Sequence, residues 1–255
     1  MTINSVSIVG GKGAMGQLFH HLLQSKQVET VVLDKPLNRG DLDSFLPGRD
    51  LVILAVPIQA MGQVLSMLTP CLDSRTVLAD ICSVKVKPLN MMLTAHQGPV
   101  VGTHPLFGPQ PEPGSELRIS LVPGRDDQAL DEVSELFQRL GLCPFSSTAE
   151  EHDRALAYIQ GLNYVTTVSY LAAFSPDENI ARFMTPSFHR RLQSARKMLT
   201  QDGELFTSLF EDNPYCHEAV RHYRSFLNLA AAGEVDLLRG KAGWWWPADI
   251  NRGGT

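Results

Sequence analysis

The stretch Ser5-Val6-Ser7-Ile8-Val9-Gly10-Gly11-Lys12-Gly13-Ala14-Met15-Gly16 decides how the first half of the chain is read. A short β-branched run, 5–9, leads directly into Gly11-Lys12-Gly13-Ala14-Met15-Gly16, a G-x-G-x-x-G. Beyond it Met15, Leu18 and Leu22 share one face of a helix expected over 14–23. In this strand–turn–helix setting the first glycine makes a tight turn, the second lets a pyrophosphate approach the backbone, and the third allows close helix–strand packing. The N–H groups at the helix start then face the phosphates. Asp34 ends a second apolar run, 30–33, 18 residues after Gly16. An acidic side chain there binds the ribose hydroxyls of NAD and repels a 2′-phosphate. Val56-Pro57 closes a third run, 51–56, where the nucleotide would lie. The expected cofactor is therefore NAD, held by Gly11, Gly13, Ala14, Met15, Gly16, Asp34, Val56 and Pro57.

Working outward, the runs 76–79, 99–101 and 119–122 continue the pattern. Most are almost continuously apolar, as parallel strands covered on both faces must be. Strands alternating with helices imply an α/β fold, a Rossmann-like, doubly wound parallel sheet. The character changes near Thr148. Thr148-Ala149-Glu150-Glu151 fits a capping box, and from there to about residue 240 the chain reads as helical, with breaks at Pro176 and Pro186 and further helices at 206–210 and 222–232. The expected organisation is a dinucleotide-binding domain over 1–147 and an all-helical substrate and dimerisation domain over 148–255. A homodimer follows if the small helical domain buries its apolar faces against a partner. The tail Gly243-Trp244-Trp245-Trp246-Pro247 packs either on the helical domain or on that partner.

Bulk properties narrow the function. With 22 Lys and Arg against 27 Asp and Glu, the net charge is -5, and no strongly basic face for nucleic acid is implied. No apolar run reaches the ~18 residues of a membrane span, and no secretory leader is evident at the N-terminus. Cys71, Cys82, Cys143 and Cys216 form no C-x-x-C pair, which suits reduced thiols in the cytoplasm. The pairs His20-His21 and His217 with His222 lack ligand partners at sensible spacing, so no metal is expected.

Chemistry is expected at Gly102-Thr103-His104-Pro105-Leu106-Phe107-Gly108-Pro109, read as a loop after the run 99–101 and stiffened by glycine and proline on both sides of one histidine. Ser83, in Asp80-Ile81-Cys82-Ser83-Val84-Lys85, follows the preceding run and falls on the same rim, although a serine there also suits a helix N-cap. His189-Arg190-Arg191 through Arg196-Lys197 supplies either the basic surface an anionic substrate needs or a solvated helix face.

Together the G-x-G-x-x-G, Asp34, the Asp80-to-Lys85 stretch, the GTHPLFGP segment and Glu151-His152-Asp153 resemble the prephenate dehydrogenase (TyrA) family over about residues 5–235. The likeness is strongest to the dehydrogenase half of the enterobacterial bifunctional chorismate mutase–prephenate dehydrogenases. The resemblance implies NAD-dependent oxidative decarboxylation of a cyclohexadiene, with His104 accepting the proton of the ring hydroxyl and Ser83 beside the same hydroxyl. It also implies substrate contacts from Gln110, Asn163, Tyr164 and either Arg196 or Lys197. Several of these depart from the family pattern: Gln110 stands where Glu or Asp is common, Asn163-Tyr164 replaces an Arg-His pair, His189 replaces another arginine, and Lys197 aligns with a substrate-binding arginine. The expected substrate is prephenate, with 4-amino-4-deoxyprephenate as the rival. Two other classes are an NAD-binding regulatory protein without turnover and a β-hydroxyacid-type reductase. The reductase would need a lysine near Asn163 that the chain lacks.

Overall fold

The structure is a computed structural model, and it describes residues 2–174 and 178–246. Pro176 and Pro247 lie outside the described residues. The chain divides into two compact units, 1–156 and 157–255. The division falls later than residue 147 because the helix that opens at Ala149 is hydrogen-bonded into the first unit through Asp153.

In the first unit, β1 (Ser5–Val9), α1 (Ala14–Ser25), β2 (Glu29–Leu33), α2 (Arg39–Phe45), β3 (Leu51–Leu54), α3 (Ile58–Leu68), β4 (Val77–Asp80) and α4 (Val86–Ala95) alternate as the apolar runs require. Then come β5 (Val100–Pro105), β6 (Arg118–Arg125), α5 (Asp127–Arg139), β7 (Cys143–Ser146) and α6 (Ala149–Leu156). They form one seven-stranded sheet in the order β2-β1-β3-β4-β5-β6-β7. Successive strand residues point to opposite faces and both faces are apolar. Val6, Ile8, Leu51 and Ile53 join Phe19 and Phe137 in one core layer, while Val9, Val52 and Leu54 join Leu42, Met61 and Met92 in the other.

The sheet is the expected Rossmann-like one, mostly parallel, with β6 antiparallel to β5 and β7 parallel to β6. One expectation needs correction: His104 is not in a loop, because β5 extends through Pro105, and His104 stands opposite Ser120 of β6. Glycine and proline around it read as loop residues, but the ladder to β6 absorbs them. Gly102 serves close approach instead, since a Cβ there would come within 3.4 Å of the Lys85 side-chain stem and 3.3 Å of Val122. β3 also stops at Leu54, so Val56 and Pro57 lie just past it, with Pro57 the N-cap of α3.

The second unit contains no strand among its described residues. A π-helical turn, Ala157–Leu162, leads into α7 (Asn163–Ala172), and α8 (Pro186–Thr200), α9 (Gly203–Asp212), α10 (Cys216–Ala231) and α11 (Val235–Ala242) follow. Pro186 takes the first position of α8, where its missing N–H costs nothing, and Thr185 caps the helix. The buried centre is small: Ala157, Cys216 and Ala219, with Leu162, Phe210 and Tyr215 against them. Ile159, Phe183, Leu205, Leu227 and Val235 are exposed, as are Trp244, Trp245 and Trp246. No described helix is long and apolar enough to cross a membrane. None of the four cysteines is in a disulfide.

Candidate active site

Strand order reverses between β1 and β3, and in open α/β sheets ligands bind outside the carboxyl ends of the strands at such a point. The glycine loop leaves β1 there. Its tight turn is made by Gly10, at φ +87°, a residue outside the G-x-G-x-x-G. Gly16 lets α1 close on the loop, because a Cβ there would sit 2.6 Å from the Gly10 carbonyl oxygen. α1 has Gly13 as N-cap and no side chain capping it, so its first-turn N–H groups are available to an anion. Asp34, just past β2, accepts hydrogen bonds from the Lys12 N–H (2.8 Å) and the Lys35 N–H (2.8 Å). This ties it to the glycine loop, and a carboxylate has about four acceptor positions, so capacity remains for two hydroxyls. Glycine cradle, uncapped helix start and carboxylate together fit an adenine dinucleotide.

The carboxyl ends of β4 and β5 carry the ionisable groups. Asp80 ends β4, and Lys85, with 0% side-chain exposure, pairs with it at 2.5 Å and donates a second bond to the Thr103 carbonyl (2.6 Å). Asp80 also accepts from the Cys82 N–H (3.0 Å) and the Thr103 N–H (3.2 Å), and the Thr103 hydroxyl donates to the Asp80 carbonyl. This pair therefore clamps β5 one residue before His104. His104 is 3% exposed. Its Nδ1 lies 2.9 Å from Nε2 of His152, whose Nδ1 lies 2.8 Å from Oδ1 of Asp153. Burial holds the His104 imidazole well below its ordinary value of 6.5, and the neighbouring His152 and Lys85 push the same way. A neutral imidazole with one nitrogen uncommitted is what proton acceptance requires.

His152 and Asp153 reach this place because α6 starts with a working capping box. The Thr148 N–H donates to Glu151 (2.9 Å) and the Glu151 N–H to the Thr148 hydroxyl (3.1 Å). Sequence reasoning gave these two residues no role of their own, nor Asp80 and Lys85. The available signal was a His-Asp pair in the first turns of a capped helix, and an Asp-to-Lys stretch at the end of an apolar strand.

Other expected site residues stand as follows. Ser83 is half-buried on the same edge, between β4 and α4, but it is not the N-cap, which is Lys85. Gln110 is exposed in the connection from β5 to β6. Asn163, Tyr164, Arg196 and Lys197 belong to the second unit. Asn163 opens α7, and Tyr164 stacks on Phe206 at 5.4 Å with its hydroxyl 3.2 Å from that of Thr207, which links α7 to α9. Arg196 and Lys197 are exposed on α8, Lys197 at 3.9 Å from Asp202. Arg191 lies over the Tyr170 ring at 3.6 Å. Among the described residues no group of three or more His, Cys, Asp or Glu could hold a metal ion.

Comparison with known proteins points the same way. The model of the family described as prephenate dehydrogenase, nucleotide-binding domain, matches residues 24–141. A T-protein from Enterobacter agglomerans is 32% identical over 225 residues, covering 87% of this chain. The chain spans 60% of the length of that relative. A 4-amino-4-deoxyprephenate dehydrogenase from Streptomyces pristinaespiralis is 27% identical over 203 residues, 71% of this chain and 68% of that protein. The fold matches the crystal structure of prephenate dehydrogenase from A. aeolicus in complex with hydroxyphenyl propionate and NAD+, with a TM-score of 0.77, 17% identity, and coverage of 99% of this chain and 98% of that one. Residues 24–141 thus match the nucleotide-binding domain of the prephenate dehydrogenase family, and the chain as a whole is similar in sequence and fold to proteins of that name.

Proposed function

We propose that the chain is an NAD-dependent dehydrogenase that oxidatively decarboxylates a prephenate-type cyclohexadiene, with prephenate as substrate and 4-hydroxyphenylpyruvate as product. The observation that carries this reading is a buried, neutral His104 on the same sheet edge as the glycine loop and Asp34. NAD, held by Gly11, Gly13, Ala14, Met15, Gly16, Asp34, Val56 and Pro57, supplies the hydride acceptor. Within the protein, His104 takes the proton of the C4 hydroxyl as hydride leaves C4 and carbon dioxide leaves C1, and it returns that proton to the oxygen of the newly aromatic ring, so that the product keeps its hydroxyl. Aromatisation drives the step, so the chain's task is to orient the ring and hold one proton acceptor. Ser83 is assigned to the same hydroxyl, and Gln110, Asn163, Tyr164, Arg196 and Lys197 to the substrate's polar groups.

A second reading, 4-amino-4-deoxyprephenate oxidised to 4-aminophenylpyruvate, is favoured by the Streptomyces relative and by the uncharged Gln110. NADH formation with the two compounds in parallel decides between them, each tenfold in kcat/KM being about 1.4 kcal/mol of transition-state preference. A preference for the amino compound overturns prephenate as the substrate. Any substrate-dependent NADH formation rules out a regulatory protein without turnover.

Asp34→Ala is expected to raise KM for NAD about 10–100-fold, the loss of hydrogen bonds to a charged group. It should narrow the preference over NADP while leaving kcat at saturating NAD nearly unchanged. Steady-state kinetics with both cofactors checks it. A homodimer through the helical unit belongs to the same proposal, supported by Ile159, Phe183, Leu227 and Val235 left exposed there. A cytoplasmic setting also belongs to it, and four cysteines without a disulfide fit that setting.

A further inference from the structure

The bonds around Asp153 leave little freedom to the two histidines beyond it. Oδ1 of Asp153 accepts the Lys85 N–H (2.7 Å) and Oδ2 the Val86 N–H (2.9 Å). Both oxygens thus already serve as acceptors at the start of α4. His152 Nδ1, 2.8 Å from Oδ1, must then be the donor of that contact. With its one hydrogen on Nδ1, His152 presents the lone pair of Nε2 at 2.9 Å from His104 Nδ1. That contact needs a hydrogen from His104 Nδ1, which leaves the lone pair of His104 on Nε2. The opposite tautomer would set two lone pairs against each other between rings that are almost entirely buried, His104 at 3% and His152 at 4% exposure.

We infer that Asp153 is a positioning residue that fixes, through His152, the tautomer of His104, keeping Nε2 as the proton acceptor. It does so from outside the reacting atoms, two hydrogen bonds away. The same carboxylate holds the backbone of Lys85 and Val86, so the relay and the Asp80–Lys85 clamp on β5 share one anchor. When His104 gains a proton at Nε2, its Nδ1–H already points along a chain ending in a carboxylate, which steadies the imidazolium without any rearrangement. This rests on the reading of His104 as the base, and the test separates the two.

The first arm needs no substrate. Nitrogen NMR of the ¹⁵N-histidine-labelled protein, with His104 assigned by the spectrum of His104→Asn, is expected to show hydrogen on Nδ1 and a bare Nε2. Hydrogen on Nε2 would overturn the inference whatever the protein catalyses. The second arm is kinetic: Asp153→Ala and His152→Phe should lower kcat by up to about 10⁴-fold, the loss seen when the aspartate orienting a histidine base is replaced. KM for NAD should stay within about twofold. His152→Phe leaves the Asp153 bonds to α4 in place, so it tests the relay even if Asp153→Ala does not fold. His152→Gln, which can still accept from His104 Nδ1, should recover at least about tenfold of the loss. Undiminished kcat in His152→Phe would overturn the inference, and so would equal losses in the Phe and Gln variants.

Discussion

His104→Asn is expected to lower kcat on the true substrate by about 10²–10⁴-fold, the usual contribution of a positioned general base, with KM for NAD unchanged. The nucleotide is assigned to the glycine loop and Asp34, which this substitution does not touch. Wild-type activity should also have a distinctive pH dependence. His104 must be neutral to accept a proton, and burial among His152 and Lys85 keeps its pKa well below 6.5. The rate should therefore hold as the pH falls through 6.5 and drop only below it. An imidazole of ordinary pKa would already have lost half its activity at 6.5. Stability follows the same direction: the unfolded chain takes up the proton near 6.5 and the folded chain resists it. The contribution from a neutral His104 is full above 6.5 and declines as pH falls from there towards the folded pKa. His96, lowered by burial and bonded to the Thr76 carbonyl at 2.8 Å, adds a smaller effect of the same sign. A pH–rate profile of kcat/KM beside an acid titration of folding checks both.

The second large effect is on stability. Lys85→Ala should destabilise the first unit by about 3–5 kcal/mol, because it strands Asp80 as a buried charge without its partner. For a protein of this size that is roughly 6–20 °C in melting temperature. The alanine also abandons the Thr103 carbonyl, the bond that holds β5 beside α4. Replacing both charges, as Asp80→Asn with Lys85→Met, should be less damaging than the single change. The asparagine oxygen can still accept from Cys82 or Thr103, and the methionine refills the space along Gly102. Thermal unfolding of the three proteins tests the order. A single variant as stable as the wild type would show that the pair contributes nothing to the fold.

What the sequence reveals and what it hides follow from the range of the interactions. The glycine loop is legible because its constraints are local: turn, helix start and close packing all lie within a dozen residues of β1. The apolar strands are legible because a strand buried on both faces has no polar positions to spare. The direction of β6 is not, since pairing sense depends on how far the chain travels before returning, which the run 119–122 does not record. The segment around His104 reads as a loop for a related reason. Gly102 and Pro105 carry turn propensity, but the β6 ladder and the Lys85 stem override it. The relay is least visible of all. Its members are 48 residues apart from His104 to His152, and 68 apart from Lys85 to Asp153, so no spacing rule connects them. The capping box at Thr148 could be read in advance; that it aims His152 at His104 could not.

Whether this site oxidises and decarboxylates a prephenate-type ring is decided by following NADH and carbon dioxide together. Purified protein is supplied with NAD and prephenate, and with NAD and 4-amino-4-deoxyprephenate in a parallel reaction. One of the two is expected to give NADH and carbon dioxide in equal amounts. Absence of both products from both compounds, with a folded protein that binds NAD, would contradict that reading.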